Sequence, residues 1–148
     1  MDVLAQTGPI KEQPLKPDNS PAAVEHKRLL ERELDRYLHL LTQHSDPEQV
    51  IVFGSLASGD IQPWSDIDLA IVEQTELPFW QRLRRFRKLL KPRVGTDLLV
   101  YTPEEFERLR YERAFFRDEI LPKRVVVYER AARRDGSKRG SGLGKSLA

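Results

Sequence analysis

Apolar residues along the chain change period several times, and each change predicts an element. Leu30, Leu34, Tyr37, Leu38 and Leu41 recur at helical spacing, one apolar stripe of an amphipathic helix over about residues 22–43, with charged residues on its other faces. Asp46-Pro47 breaks that period, and the wholly apolar run Val50-Ile51-Val52-Phe53 reads as a short strand covered on both faces, ended by Gly54-Ser55. From Ile67 to Val72 the pattern alternates, so that Asp66, Asp68 and Ala70 share one side of a second strand while Ile67, Leu69 and Ile71 share the other.

Pro78 opens a second helix whose expected buried stripe is Phe79, Leu83, Phe86, Leu89 and Leu90, closed before Pro92-Arg93-Val94-Gly95. Asp97 to Tyr101 is a third strand. Thr102-Pro103-Glu104-Glu105 then combines an N-cap Thr, a Pro at the first helical position and a Glu three residues after the cap, the signature of a capping box. A helix through Phe106 and Leu109, a helical stretch with Phe115 and Phe116, and a last strand from Arg124 to Glu129 complete an α/β (α+β) domain, a small sheet flanked by helices.

Composition marks the ends. Four prolines among polar residues with no sustained period make 1–21 a disordered leader, 22–130 the folded domain, and the Gly/Ser/Lys/Arg-rich 131–148 a flexible basic tail. The Gly-x-Gly-Lys-Ser string at Gly142–Ser146 lacks the preceding strand and following helix of a P-loop and is read as coincidence. The net charge of +2 is concentrated at the C-terminal end: residues 24–128 hold 17 Lys/Arg against 18 Asp/Glu. A basic tail on a near-neutral domain is only weak evidence for nucleic acid, which is not the expected partner. With no cysteine, chemistry must come from carboxylates, hydroxyls, His or Lys. The apolar runs are far shorter than the ~20 residues that cross a bilayer, so the expected setting is cytoplasmic, with no membrane partner.

The candidate chemistry lies at the strand ends. Asp66 and Asp68, at i and i+2, can converge on a hard cation such as Mg²⁺, and Asp97, heading another strand of the same expected sheet, can add a third carboxylate. Gly54 allows close backbone approach and Ser55 adds a hydroxyl, the ingredients of a phosphate seat. Elsewhere, Arg82, Arg84, Arg85, Arg87, Lys88 and Lys91 make the second helix strongly basic. Trp64 reads as a packing plug rather than a nucleotide cover, the three His as surface residues, and Tyr101, Tyr111 and Tyr128 as core or partly buried.

Phe53-Gly54-Ser55, ten intervening residues and Asp66-Ile67-Asp68, within VIVFGSLASGDIQPWSDIDLAIV and followed by TDLLVYTPEEFERL, resemble the signature of the polymerase-beta-type nucleotidyltransferase superfamily, specifically its minimal nucleotidyltransferases. The resemblance spans about residues 24–129. It implies a polymerase-beta-like fold and transfer of AMP from ATP, with two Mg²⁺, to an acceptor hydroxyl. Asp66, Asp68 and Asp97 match the metal-binding, catalytic carboxylates, and Gly54 and Ser55 the loop that holds the triphosphate. It further implies an antitoxin that pairs, as a hetero-oligomer, with a HEPN-domain ribonuclease toxin and silences it by adenylylating a tyrosine. The alternatives are transfer to a small-molecule hydroxyl and non-catalytic masking of the toxin.

Overall fold

The computed structural model describes residues 18–131. The first helix, α1 (Pro21–His44), starts where local chemistry dictates: the Ser20 side chain accepts the Ala23 amide at 3.1 Å, and Pro21 occupies the first turn, where its missing N–H costs nothing. It is one residue longer at each end than the periodicity predicts. The remaining elements are β1 (Gln49–Phe53), α2 (Gly54–Ser58), β2 (Ile67–Val72), α3 (Phe79–Leu90), β3 (Thr96–Tyr101), α4 (Pro103–Glu112), a π-helical turn (Phe116–Ile120), a 3-10 turn (Leu121–Lys123) and β4 (Val125–Glu129). Of the expected leader, all but its last four residues lies outside the described residues, as does the tail beyond Ala131 and the Gly142–Ser146 string.

The four strands form one mixed sheet in the order β3-β2-β1-β4. β1 is antiparallel to β2 and β4, and β2 is parallel to β3, joined to it through α3. Alternation along the strands sorts the side chains between two cores. Val50, Val52, Leu69 and Ile71 pack beneath Leu30 and Tyr37 of α1 and Phe86 of α3. On the opposite face Ile51, Ala70 and Val72 meet Phe106 and Leu121, with Phe116 packed edge-on to Phe106 at 5.7 Å. At about 1.5–3 kcal/mol for each large aliphatic or aromatic side chain taken from water, these two layers supply the main driving force. The capping box forms as read: Thr102 Oγ1 accepts the Glu105 amide at 3.1 Å, and Glu105 Oε1 accepts the Thr102 amide at 2.9 Å.

The stripe of α3 differs from the one expected. Phe79 is exposed, whereas Arg82 is buried, because its guanidinium finds a full set of acceptors: Leu77 O at 2.7 Å, Val100 O at 3.2 Å and the Glu105 carboxylate at 2.6 Å. Arg85 likewise pairs with the buried Glu73 at 2.9 Å. Arg87 donates to Thr96 O at 2.6 Å, so three of the six cations in and just after this helix hold the fold together, and its positive surface is narrower than the sequence implies. Trp64 and Tyr111 also depart from expectation, both standing largely in solvent. The exposed Trp64 is not a packing plug.

Candidate active site

Strand register gathers the predicted residues at one end of the sheet. Phe53, the last residue of β1, lies opposite Asp68, and Asp68 lies beside Asp97 across the parallel β2–β3 pair. Neighbouring strands are about 4.8 Å apart, so side chains on the same face at equal register touch. The Asp68 and Asp97 side chains therefore stand side by side, close enough for each carboxyl to act on the other. Burial first, then the neighbouring Asp97 and the charge of Asp66, push the Asp68 carboxyl up to about 6.

The immediate surroundings explain the glycines. Gly54, with φ +67°, turns the chain from β1 straight into α2, and a Cβ there would collide with the Asp68 carboxylate, whose Cγ lies 3.1 Å away. A Cβ on Gly95 would strike the Asp66 carboxylate, with its Cγ at 2.8 Å. Backbone therefore comes within touching distance of both acids. Ser55 sits in the first turn of α2, half-buried, beside this pair. Asp66 precedes β2 by one residue and is exposed, as is Asp97, while Asp68 is half-buried between them.

The carboxylates are arranged as two plus one. Asp68 and Asp97 stand side by side, whereas Asp66 stands against Gly95, near enough to raise Asp68 through its charge. Among the described residues no three acidic or His side chains close into a ready-made metal cage. The donor chemistry nonetheless fits a hard divalent cation: all-oxygen ligands, mutual repulsion that a positive charge would relieve, and two members open to solvent.

Sequence reasoning overlooked the contribution of α1. The half-buried His26 is not a plain surface residue: its Nε2–H donates to Ser65 O at 2.7 Å. Glu33, held below the usual carboxylate range by its hydrogen bonds to Arg36 and the Arg93 amide, accepts the latter at 2.7 Å. The Tyr37 hydroxyl pairs with Thr96 Oγ1 at 2.7 Å, next to Asp97. Only Tyr37 was visible in the apolar stripe; a polar residue that braces a distant loop leaves no periodic signal.

Comparison with known proteins agrees with this geometry. A crystal structure from Sulfolobus solfataricus, of a protein provisionally named a nucleotidyltransferase, superposes with a TM-score of 0.56 at 21% identity, covering 76% of this chain and 91% of that one, which establishes a shared fold. The search of curated proteins gave no match. The family described as polymerase beta, nucleotidyltransferase, matches residues 36–133, from the middle of α1 past the end of β4 and across every acid of the site. With two thirds of its length matched and its acids gathered where β1, β2 and β3 meet, the chain belongs to the polymerase beta nucleotidyltransferase family.

Proposed function

We propose that this protein transfers a nucleoside monophosphate, AMP from ATP by resemblance, to a hydroxyl of a partner protein, and that it serves as the antitoxin of a HEPN-domain toxin by modifying a tyrosine of that partner. The observation that supports nucleotidyl transfer is the pairing of the half-buried Asp68 with the exposed Asp97 at the open end of the sheet, while the toxin partner and its tyrosine rest on the resemblance alone.

Asp66, Asp68 and Asp97 would hold two Mg²⁺, which when bound offset the charge that builds up on the triphosphate during in-line displacement. Gly54 leaves room for a phosphate to approach the backbone, and Ser55 orients it with its hydroxyl. The acceptor oxygen attacks the α-phosphorus, the bond to the bridging oxygen breaks and pyrophosphate leaves. Asp97, on the sheet's edge strand with its side chain in solvent, is placed to take the acceptor's proton. Leu99, two residues on along the same strand face, is also exposed, so an acceptor carried on a large molecule can reach this edge.

The test is transfer from α-labelled ATP, with Mg²⁺, into lysate protein and into a small-molecule extract. Label on a protein tyrosine, absent with Asp66→Ala/Asp68→Ala, is the expected result. Label confined to small molecules would replace the protein acceptor with a metabolite hydroxyl; no label in either fraction would leave toxin masking.

A further inference from the structure

Asp66 is the one acid of the site that lies outside a strand, so its position depends on what fixes the loop before β2. That loop is well anchored up to a point. Ile61 is buried in the core, and residues 62–65 close a tight turn in which Ser65 N donates to Gln62 O at 3.1 Å and Gln62 N to Ser65 Oγ at 2.8 Å. Beyond Asp66, Ile67 N donates to Gly95 O at 2.9 Å. Between these two anchors the backbone carbonyl of Ser65, which leads directly into Asp66, is held by His26 from the first turns of α1.

We propose that His26 is a positioning residue for Asp66: by fixing the Ser65 carbonyl it sets where the Asp66 carboxylate points and hence how tightly the site holds a divalent cation. The cation arm of this inference rests on the nucleotidyltransferase reading; the loop arm does not. A carbonyl oxygen can only accept, so the imidazole must present Nε2–H, and the bond spans 39 residues of sequence. Unlike Tyr37 on the same helix, His26 is not part of the buried core, so this bond is its distinguishing contact among the described residues. The opposite side of Asp66 has no slack, because a single added Cβ on Gly95 would displace it. A peptide tethered on both sides and a carboxylate pressed on a glycine narrow the directions the exposed acid takes; releasing the Ser65 side lets it turn further into the solvent where Trp64 already lies. Partners that orient a metal ligand typically change affinity or activity 10- to 100-fold when removed.

The experiment uses the full chain in three forms, wild type, His26→Ala and His26→Gln, the last retaining an amide donor that can reach the same carbonyl. Amide exchange without metal or nucleotide is measured first. The expected result is exchange at Ile67 several-fold faster in His26→Ala, restored in His26→Gln, with Leu69 to Ile71 unchanged. Equal protection at Ile67 in all three, or loss of protection throughout β2, would overturn the proposal, the second result marking His26 as a general stabiliser. Titration with Mn²⁺ alone follows, with about tenfold weaker binding expected for His26→Ala and near wild-type binding for His26→Gln. Unchanged Mn²⁺ affinity in His26→Ala would also overturn it. Failure of wild type itself to bind Mn²⁺ would count against the nucleotidyltransferase reading and the cation arm together, leaving the exchange result to decide whether His26 fixes the loop.

Discussion

Asp68→Asn should make the metal-free protein more stable while abolishing its activity. The Asp68 carboxyl moves from 3.8 to about 6 on folding, through burial and the company of Asp97 and Asp66. Well below pH 4 it is protonated in both states and costs nothing. Between pH 4 and 6 the unfolded chain loses this proton while the folded one keeps it, so stability falls as pH rises, and above pH 6 the full penalty is present. At about 1.4 kcal/mol for each tenfold change in proton affinity, the rise from 3.8 to about 6 sets a ceiling near 3 kcal/mol. Solvent reaches this half-buried carboxyl, and halving for that screening leaves about 1.5 kcal/mol, or about 6 °C in Tm for a domain of this size. Asparagine removes the charge and can still donate to the Asp97 carboxylate. Thermal unfolding in EDTA at pH 8 and at pH 4 measures both ends: Asp68→Asn should melt about 6 °C higher at pH 8 and within about 2 °C of wild type at pH 4. A variant less stable than wild type at pH 8, or a gain equal at both pH values, would refute the reasoning, since neither follows from a buried, repelled carboxylate.

The other expectations are as direct. Gly95→Ala should lower transfer activity at least tenfold with little change in Tm, because the new methyl displaces the flexible Asp66 carboxylate, whereas Gly54→Ala should lose both activity and about 1–2 kcal/mol in urea unfolding, since φ +67° disfavours any side chain. Arg82→Met should cost about 2–4 kcal/mol in urea unfolding by stranding Glu105 and the Val100 carbonyl, and Arg82→Met/Glu105→Met should recover part of it. Thr102→Ala, which opens the capping box, should cost about 1 kcal/mol by the same measurement and leave activity intact.

How much of this was legible depended on whether the information was periodic. The strands β1, β2 and β3 and the start of α4 follow from local pattern and cap chemistry, and the Phe53-Gly54-Ser55 and Asp66-Ile67-Asp68 spacing pointed to the family that the comparison bears out. Strand register was not legible, and it is register that puts Asp97 beside Asp68 and leaves Asp66 to one side. Hydropathy also misassigned Phe79 and Arg82, because a guanidinium with four acceptor contacts is as easily buried as a ring, and no apolar count registers those acceptors. Gly95 looked like a helix terminator, yet its missing side chain is what admits Asp66. His26 carried no signal at all, since its partner is a backbone carbonyl far along the chain.

The central claim is that the Asp68–Asp97 pair is a nucleotidyl-transfer centre. Single-turnover consumption of α-labelled ATP with Mg²⁺, in the presence of the labelled acceptor fraction, by wild type, Asp68→Asn and Asp97→Asn, tests it most directly. Wild type should transfer the α-label in a Mg²⁺-dependent manner, and each variant should lose at least 100-fold, although Asp68→Asn is the more stable protein. Turnover in both variants within a few-fold of wild type would contradict it.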